Sequence, residues 1–189
     1  MTIKEYLNKL ADRTPAPGGG SAAALTGALG SALLAMAAKY VLKRAEGSPR
    51  GEAAGVDTAK RLMTLMREDE KAYYRLAREI KKRRPKKLLQ LYEGAINVPL
   101  EVCVLSAESA SKCAAICGYC KTSIMSDIVE AVILCEAAFL SAKLNIKINL
   151  RSIEDAAYKN KISRKLAAEE KKIQKAKKTV LEKARKFFR

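Results

Sequence analysis

The sequence predicts an all-α protein, an up-and-down bundle of five to six helices in a single domain spanning residues 1–189. Three observations predict this fold class. Apolar residues recur at spacings of three and four along most of the chain, no segment shows a convincing strand pattern, and short connections separate the candidate helices. A chain of 189 residues is also long enough to bury a sizeable core.

Residues 3–12 are predicted to form a short amphipathic helix at the start of the chain. Thr2 and Glu5 have the spacing of a capping box, in which each side chain bonds the other residue's backbone N–H. The apolar stripe of this helix comprises Ile3, Tyr6, Leu7 and Leu10.

The segment at residues 13–42 is predicted to be the central helix and its entrance. Pro15 and Pro17 suppress early helix formation, three glycines follow, and Ser21 is a suitable N-cap. Residues 21–38 carry no charge, which is typical of a helix buried on every side. The helix start beneath the glycines suits an anion or a carbonyl group, although small residues equally suit tight packing. A transmembrane helix is disfavoured because small residues outnumber leucines.

Asp69 is the most informative residue of the next predicted helix, at residues 53–83. It interrupts a seam that should be apolar throughout. A carboxylate on a buried seam costs several kcal/mol unless it is paired or hydrated, so Asp69 either has a structural partner or faces a functional pocket. The other seam residues are Leu62, Met66, Tyr73, Leu76 and Ile80.

Residues 88–116 continue in helical period, with Pro99 inside the segment. A proline there removes one intrahelical hydrogen bond, so we expect a kink around Asn97 and a free carbonyl near the bundle interior. A simple break between two helices is the alternative.

The end of this segment and the residues after it carry the C-x3-C-x2-C spacing of Cys113, Cys117 and Cys120, which also occurs in iron–sulfur enzymes. Because no strands are evident, buried thiols are favoured.

The last two helices are predicted to begin near residues 123–127 and at Ser152 to Asp155. Ser126 and Asp127 fall in the first-turn region, where Asp127 can serve as an N-cap or as a functional carboxylate. This helix runs to Leu144 or beyond, and the alternation of apolar residues over 146–150 allows a short extended exit.

The amino-acid composition limits which reactions and which partners are possible. The chain has no histidine, which excludes a Ser-His-Asp triad and a His-ligated metal. Five cysteines, an odd number, and the lack of a signal-peptide pattern predict a cytoplasmic protein. The net charge is +17, with thirteen basic and three acidic residues in the C-terminal helix at 159–189 and another basic run at 81–87. No aromatics interleave these runs, so nucleic acid is not an expected partner, although the basic tail leaves association with it as a further hypothesis. No membrane partner is expected, because the one long uncharged segment consists mainly of small residues.

Five motifs taken together resemble the cyclodeaminase/cyclohydrolase family. That family comprises the cyclodeaminase domain of formiminotransferase-cyclodeaminase and the methenyltetrahydrofolate cyclohydrolases. The motifs occur in the same order over nearly the whole chain. They are T-P-A-P-G-G-G-S at 14–21, E-D-E-K-A-Y at 68–73, N-V-P-L-E-V at 97–102, S-D at 126–127 and L-N-I-K-I-N-L at 144–150.

The resemblance implies a homodimer or a higher oligomer whose substrate is a tetrahydrofolate one-carbon adduct, with or without a polyglutamate tail, and no further cofactor or metal. It also implies Asp69 and Asp127 as catalytic residues. The sequence departs from the family where a G-N-x-N run usually precedes the Ser-Asp pair, since Cys120, Lys121 and Ser123 stand there. The implied binding residues are Pro17, Gly18, Gly19, Gly20, Ser21, Lys39, Ser126 and Asn145.

The expected reaction is hydrolysis of 5,10-methenyltetrahydrofolate to 10-formyltetrahydrofolate. Asp69 would deprotonate the attacking water, Asp127 would orient water or protonate N5, and Lys39 would polarise the substrate. Deamination of formimidoyltetrahydrofolate needs a similar arrangement and is the alternative, although a chain with no fused formiminotransferase favours the cyclohydrolase. A non-catalytic folate-binding bundle and a methanopterin-type carrier remain open.

Overall fold

The computed structural model describes residues 1–42, 52–82 and 85–187, and within these ranges it consists of helices and short connections with no strand. This confirms the predicted all-α class and the number of helices. A single 3-10 turn, Cys117–Tyr119, separates the fourth and fifth helices. The helices are α1 (Ile3–Ala11), α2 (Gly19–Leu42), α3 (Glu52–Lys81), α4 (Pro85–Ile116), α5 (Thr122–Leu150) and α6 (Ala156–Ala184).

Helix α2 is the central helix of the bundle, because its small side chains let three other helices approach its backbone. A methyl group built on Gly27 would lie 3.1 Å from Ser106 Oγ on α4, 3.3 Å from Ala138 Cβ on α5 and 3.4 Å from Leu62 Cδ1 on α3. A methyl group on Gly30 would lie 2.9 Å from the carbonyl oxygen of Ala131. The interior is therefore packed tightly enough that α2 has no room for a larger residue at these two positions.

The same helix meets the length and hydropathy expected of a membrane span over Gly19–Val41, but 61% of that apolar stretch is buried within the bundle. A buried core helix passes the same test, so this single segment is weak support for membrane insertion. Its neighbours α3 and α5 both run antiparallel to it, since positions near 20 and 27 of α2 meet positions 69 and 62 of α3, and positions 19 and 27 meet 145 and 138 of α5.

Helices α4 and α6 complete the bundle, with α4 packed against α2, α3 and α5, and α6 packed against α4 and α5. Helix α4 is joined to α2 by a fully buried pair of hydroxyl groups, Ser31 Oγ and Ser109 Oγ, 2.9 Å apart. Helix α6 lies antiparallel to α5, and Lys143 on α5 contacts the Glu170 carboxylate at 2.6 Å. The largest fully buried side chain, Phe139, lies on α5 in the core between these layers.

Two predicted helix starts are confirmed in detail. The Thr2 side chain accepts from the Glu5 N–H while the Glu5 side chain accepts from the Thr2 N–H, which completes the capping box of α1. At α6, Asp155 is the N-cap and accepts from the Tyr158 N–H at 3.0 Å. Both follow from the need of the first N–H groups of a helix for acceptors outside the helix.

Three local predictions are wrong. Ser21 is not an N-cap, because α2 already begins at Gly19. Asp127 is not an N-cap either, because α5 begins at Thr122 after Lys121. The extended exit at 146–150 is absent, since α5 stays helical to Leu150. Spacings of four from Ala142 through Ile146 to Leu150 place all three side chains on the core, which outweighs the apparent alternation. The turn predicted at 47–51 lies outside the described residues.

Candidate active site

A cavity of about 230 Å³ opens at the end of the bundle where α2 begins. It lies between the Pro/Gly segment that precedes α2, the middle of α3, the first half of α4 and the end of α5. The motifs at 14–21, 68–73 and 144–150 all contribute to it. Its lining residues are Pro15, Ala16, Gly18, Gly19, Gly20, Asp69, Ala72, Tyr73, Leu76, Ala95, Asn145, Ile148 and Asn149.

Asp69 is the charged residue of this cavity, and the fold holds its carboxylate against the start of α2. The Ser21 backbone N–H donates to the Asp69 carboxylate. Burial raises the pKa of Asp69 above its ordinary value, the bond from Ser21 opposes that shift, and the nearby Glu70 carboxylate adds to it. A partly buried carboxyl group with a raised pKa is suited to proton transfer near neutral pH.

Gly20 is required by the position of that carboxylate. A methyl group built at residue 20 would collide with the carboxylate carbon and both oxygens of Asp69. The contact involves the rigid end of a short side chain, so a substitution would move the carboxylate or the helix start. The glycine predicted to form a lip therefore has a direct reason in the geometry of Asp69.

Two amide side chains from α5 face the cavity from the other side. Asn145 donates from Nδ2 to the Ser141 carbonyl at 3.2 Å, and its amide lies beside Gly19, within 4 Å of where a methyl group there would be. Asn149 donates from Nδ2 to the Ala95 carbonyl of α4 at 3.0 Å. Each amide thus donates one N–H to a backbone carbonyl, and its carbonyl oxygen can accept a hydrogen bond from a ligand.

The carbonyl that Asn149 takes is the one that Pro99 leaves without a partner. In an α-helix the N–H of residue 99 would bond the carbonyl of residue 95, and proline has no N–H. Helix α4 continues through Pro99, so the predicted free carbonyl exists and the alternative of two separate helices is wrong. The proline therefore creates the acceptor that anchors Asn149 at the cavity wall.

Tyr6 was missed as part of this region. The sequence pattern groups it with Ile3 and Leu7, but those two are exposed and Tyr6 is only 3% exposed. Its hydroxyl lies 3.1 Å from Ser21 Oγ, behind the carboxylate of Asp69. The only sequence signal was that Tyr6 is the one residue of the stripe with a polar group at its tip, which a buried position would have to satisfy.

The sequence profile of a family described as formiminotransferase-cyclodeaminase matches residues 2–168. The chain belongs to this family. It is 29% identical over 182 residues to a methenyltetrahydrofolate cyclohydrolase of Methylorubrum extorquens, with 83% of each chain covered. It is 27% identical over 192 residues to the formimidoyltransferase-cyclodeaminase of Rattus norvegicus, covering 88% of this chain and 34% of that relative.

A solved structure has the same fold. The crystal structure of a formiminotetrahydrofolate cyclodeaminase from Thermotoga maritima matches with a TM-score of 0.90 over 100% of this chain and 98% of that one. The sequences are 24% identical, so this likeness shows the fold. The profile match over residues 2–168 confirms the resemblance drawn from the five motifs at the level of the formiminotransferase-cyclodeaminase family.

The residues expected at the folate site of this family fall into two groups. Gly18, Gly19, Gly20, Asp69 and Asn145 line one cavity. Directly beside them lie Ser21, bonded to Asp69 and Tyr6, and Pro17, which is buried and follows a cis peptide bond from Ala16.

Asp127, Ser126 and Lys39 lie at the opposite end of the helical bundle from this cavity. Eighteen residues of α5 separate Asp127 from Asn145, which at the rise of an α-helix is about 27 Å. Lys39 is nineteen residues beyond Gly20 on α2, about 28 Å away, and it lines a separate groove of about 580 Å³ between α2 and α3. The single chain therefore does not bring these three residues to the cavity of Asp69.

Four of the five cysteines are buried thiols, and the fifth, Cys120, is partly buried. Burial raises the pKa of Cys113, which lies within electrostatic range of three other cysteines, and raises that of Cys120 to about 11. Cys117 donates to the Ala114 carbonyl at 3.1 Å at the end of α4. Among the residues that the structure describes, no three His, Cys, Asp or Glu side chains are arranged to hold a metal ion.

Proposed function

We propose that this protein is a folate one-carbon enzyme that hydrolyses 5,10-methenyltetrahydrofolate to 10-formyltetrahydrofolate, with Asp69 as the general base. The observation that carries the proposal is the partly buried Asp69 carboxylate, bonded to the Ser21 N–H and open to a cavity. Membership of the formiminotransferase-cyclodeaminase family and the similarity to a bacterial methenyltetrahydrofolate cyclohydrolase support the reaction class.

The proposed chemistry needs one carboxylate at the bridging carbon. That carbon is an electrophilic amidinium between N5 and N10. Asp69 removes a proton from the attacking water as the new C–O bond forms, and the protonated Asp69 then donates to N5 as the C–N5 bond breaks. The carboxylate accepts the adduct's hydroxyl proton as the formyl C=O forms and releases it to solvent. The raised pKa of Asp69 suits both directions of transfer.

The size of the cavity indicates which end of the substrate enters. At about 230 Å³ it is smaller than the roughly 300–1,000 Å³ typical of cavities that enclose a whole drug-sized ligand. We therefore place the pterin ring and the one-carbon bridge inside, with the benzoylglutamate part along the surface. The free amide oxygens of Asn145 and Asn149 would accept from N–H groups of the pterin, and the start of α2 would face its carbonyl. The net charge of +17 favours an anionic polyglutamate tail.

The assay that tests the proposal offers both one-carbon substrates to the purified protein. We expect accelerated loss of the methenyl absorbance and no release of ammonia from 5-formimidoyltetrahydrofolate. Ammonia release would instead support the cyclodeaminase, which the similarity to mammalian cyclodeaminases favours. Binding of either folate without turnover would contradict both reactions and leave the non-catalytic folate-binding bundle. That alternative is motivated by Cys120, Lys121 and Ser123, which stand where the family usually has a G-N-x-N run. A methanopterin-type substrate turned over in preference would correct the carrier.

We further propose a homodimer that packs through the exposed apolar face of α2 and α5. Large hydrophobic side chains there are more than a third exposed, which is unusual unless another surface covers them. A second copy fits because a two-fold interface presents the same patch from both sides. The residues of this face are Leu29, Met36 and Tyr40 of α2 and Ile133, Leu140, Leu144 and Ile148 of α5.

The same dimer would supply Asp127 to the cavity. Ile148, which is 62% exposed, belongs both to the apolar face and to the cavity wall. If two α5 helices pack antiparallel about Leu140, Asp127, thirteen residues before it, lies opposite the end of the other α5. Each site would then combine Asp69 of one subunit with Asp127 and Ser126 of the other.

We place the protein in the cytoplasm, which the five cysteines without disulfides support.

A further inference from the structure

Helix α1 reaches the bundle through one buried side chain. Tyr6 is the buried residue of that helix, whereas Ile3 and Leu7 are 73% and 54% exposed. An amphipathic helix usually buries its whole apolar stripe. Here the buried contact is made by Tyr6, whose hydroxyl lies 3.1 Å from Ser21 Oγ. Helix α1 therefore contacts the residue whose N–H bonds Asp69.

The region behind Asp69 is a buried polar cluster that the proposed reaction does not use. Ser21 is fully buried, and the Asp69 and Glu70 carboxylates both act electrostatically on the Tyr6 phenol. Glu70 Oε1 is buried and has no hydrogen-bond partner among the described residues. Groups in such a cluster influence one another more strongly than groups in water do, because the surroundings screen their charges poorly.

The Tyr6 hydroxyl fixes the conformation of Ser21 at the first turn of α2. A hydrogen bond between two buried hydroxyl groups limits the movement of both residues, because the buried surroundings offer few other partners. With Tyr6 as its partner, Ser21 stays in place and its N–H remains directed at the Asp69 carboxylate.

We propose that Tyr6 is a positioning residue for Asp69 and acts through Ser21. The catalytic role assigned to Asp69 rests on the proposed function, but the coupling between Tyr6 and Asp69 does not. The titratable groups around Asp69 are Glu70 and Tyr73 on α3 and Tyr6 on α1; α2, α4 and α5 present uncharged groups to the cavity.

The test measures the pKa of Asp69 directly, by carbon-13 NMR of protein labelled at the aspartate carboxyl carbon. The chain has five aspartates, and the signal missing in Asp69→Asn identifies the relevant one. In Tyr6→Phe the ring remains but Ser21 loses its partner, which weakens the bond that favours the Asp69 carboxylate. We expect the Asp69 midpoint to move upward by about half a unit.

Tyr158→Phe is the matched control. The Tyr158 hydroxyl is also buried but has no hydrogen-bond partner among the described residues, and it lies on α6. This variant should leave the Asp69 midpoint unchanged. Ser21→Ala should shift it in the same direction as Tyr6→Phe, and the double variant should shift it no further, because both changes remove one interaction. Ser21→Ala also carries the test if Tyr6→Phe does not fold.

Kinetics provide a second measure. The acid limb of kcat/KM for the methenyl substrate should move with the NMR midpoint, so Tyr6→Phe should be about three-fold slower well below the midpoint and within about two-fold of the unmodified protein at pH 8. A lower melting temperature with an unmoved midpoint would overturn the inference, as would a downward shift. An unmodified protein that turns over neither substrate would contradict the proposed function, and the NMR midpoint would still decide the role of Tyr6.

Discussion

The two ends of the bundle carry the two carboxylates expected from the family resemblance, and the fold treats them differently. Asp69 lies where α2, α3 and α5 meet, receives the Ser21 N–H and borders a cavity. Asp127 lies in the first half of α5, about 27 Å along the helix axis from Asn145 at the cavity, and does not line that cavity. The difference shows that a single chain brings Asp69 but not Asp127 to the cavity, so a mechanism that uses both carboxylates requires a second subunit.

The largest expected effect comes from the Asp69 end. Asp69→Asn keeps the shape and the bond from Ser21 but removes the base, so we expect kcat to fall by about 10³-fold. The measurement is the loss of methenyl absorbance at saturating substrate. Turnover within about ten-fold of the unmodified protein would show that Asp69 is not the base.

The thermal stability of Asp69→Asn shows whether this variant is folded, and the structure predicts how that stability changes with pH. Because the pKa of Asp69 is raised in the folded protein, the folded state binds the proton more tightly than the unfolded state. This term favours folding at low pH and is lost as the pH rises through the raised pKa. Asp69→Asn should therefore raise the melting temperature at pH 7, and the gain should vanish near pH 3. A lower melting temperature at pH 7 would contradict the burial of this carboxylate.

The Asp127 end gives the next effect and tests the dimer. We expect Asp127→Asn to lower kcat by about 10²-fold, as the loss of a group that orients the attacking water does. Mixing inactive Asp69→Asn and Asp127→Asn subunits should restore activity, because half of the dimers are mixed and each mixed dimer has one unmodified site of two. The expected recovery is about a quarter of full activity for random exchange.

The outcome of mixing separates the two arrangements. A loss in Asp127→Asn without recovery on mixing would place both carboxylates in one subunit, contrary to the distance along α5. No loss in Asp127→Asn would restrict the site to the Asp69 end. Light scattering at the assay concentration checks that the protein is a dimer.

A smaller effect is expected from the glycine that contacts Asp69. Gly20→Ala would displace the carboxylate, and we expect kcat to fall roughly 10- to 10²-fold. The matched control is Gly94→Ala on α4, where a methyl group meets nothing within 4 Å. That control should stabilise the protein by about 0.5–1 kcal/mol and leave kcat unchanged. Equal kinetics for the two variants would show that the contact at Gly20 does not position Asp69.

The smallest effect concerns the amide anchored next to Pro99. Asn149→Ala should lower the free energy of unfolding by about 1 kcal/mol in urea, because the Ala95 carbonyl loses its partner. In a Pro99→Ala background the new N–H of residue 99 can take that carbonyl, and the same substitution should cost less. Additive costs would show that Asn149 and Pro99 act independently.

Much of the fold was predictable because it depends on local patterns. The six helices follow from apolar periodicity, the starts of α1 and α6 from capping residues, and the central position of α2 from its small, uncharged composition. The freed carbonyl at Ala95 was predictable from Pro99, since the missing N–H is a property of proline itself.

The site was predictable only in part, because it depends on contacts between distant segments. Asp69 could be recognised as a carboxylate in an apolar seam. Tyr6 could not, since its contact with Ser21 joins residues on either side of the Pro/Gly segment. The separation of Asp69 from Asp127 depends on helix direction, which a list of motifs in chain order does not give.

The packing around α2 has a consequence for how this protein can diversify. Beyond Gly27 and Gly30, a methyl group on Gly55 of α3 would lie 2.8 Å from Ala35 Cβ, so three helices meet α2 at near-minimal separation. Larger side chains at these positions would destabilise the protein, because each added carbon would displace a neighbouring helix. New specificities must arise instead at the cavity rim, at positions such as Tyr73 and Ile148, whose side chains are 45% and 62% exposed.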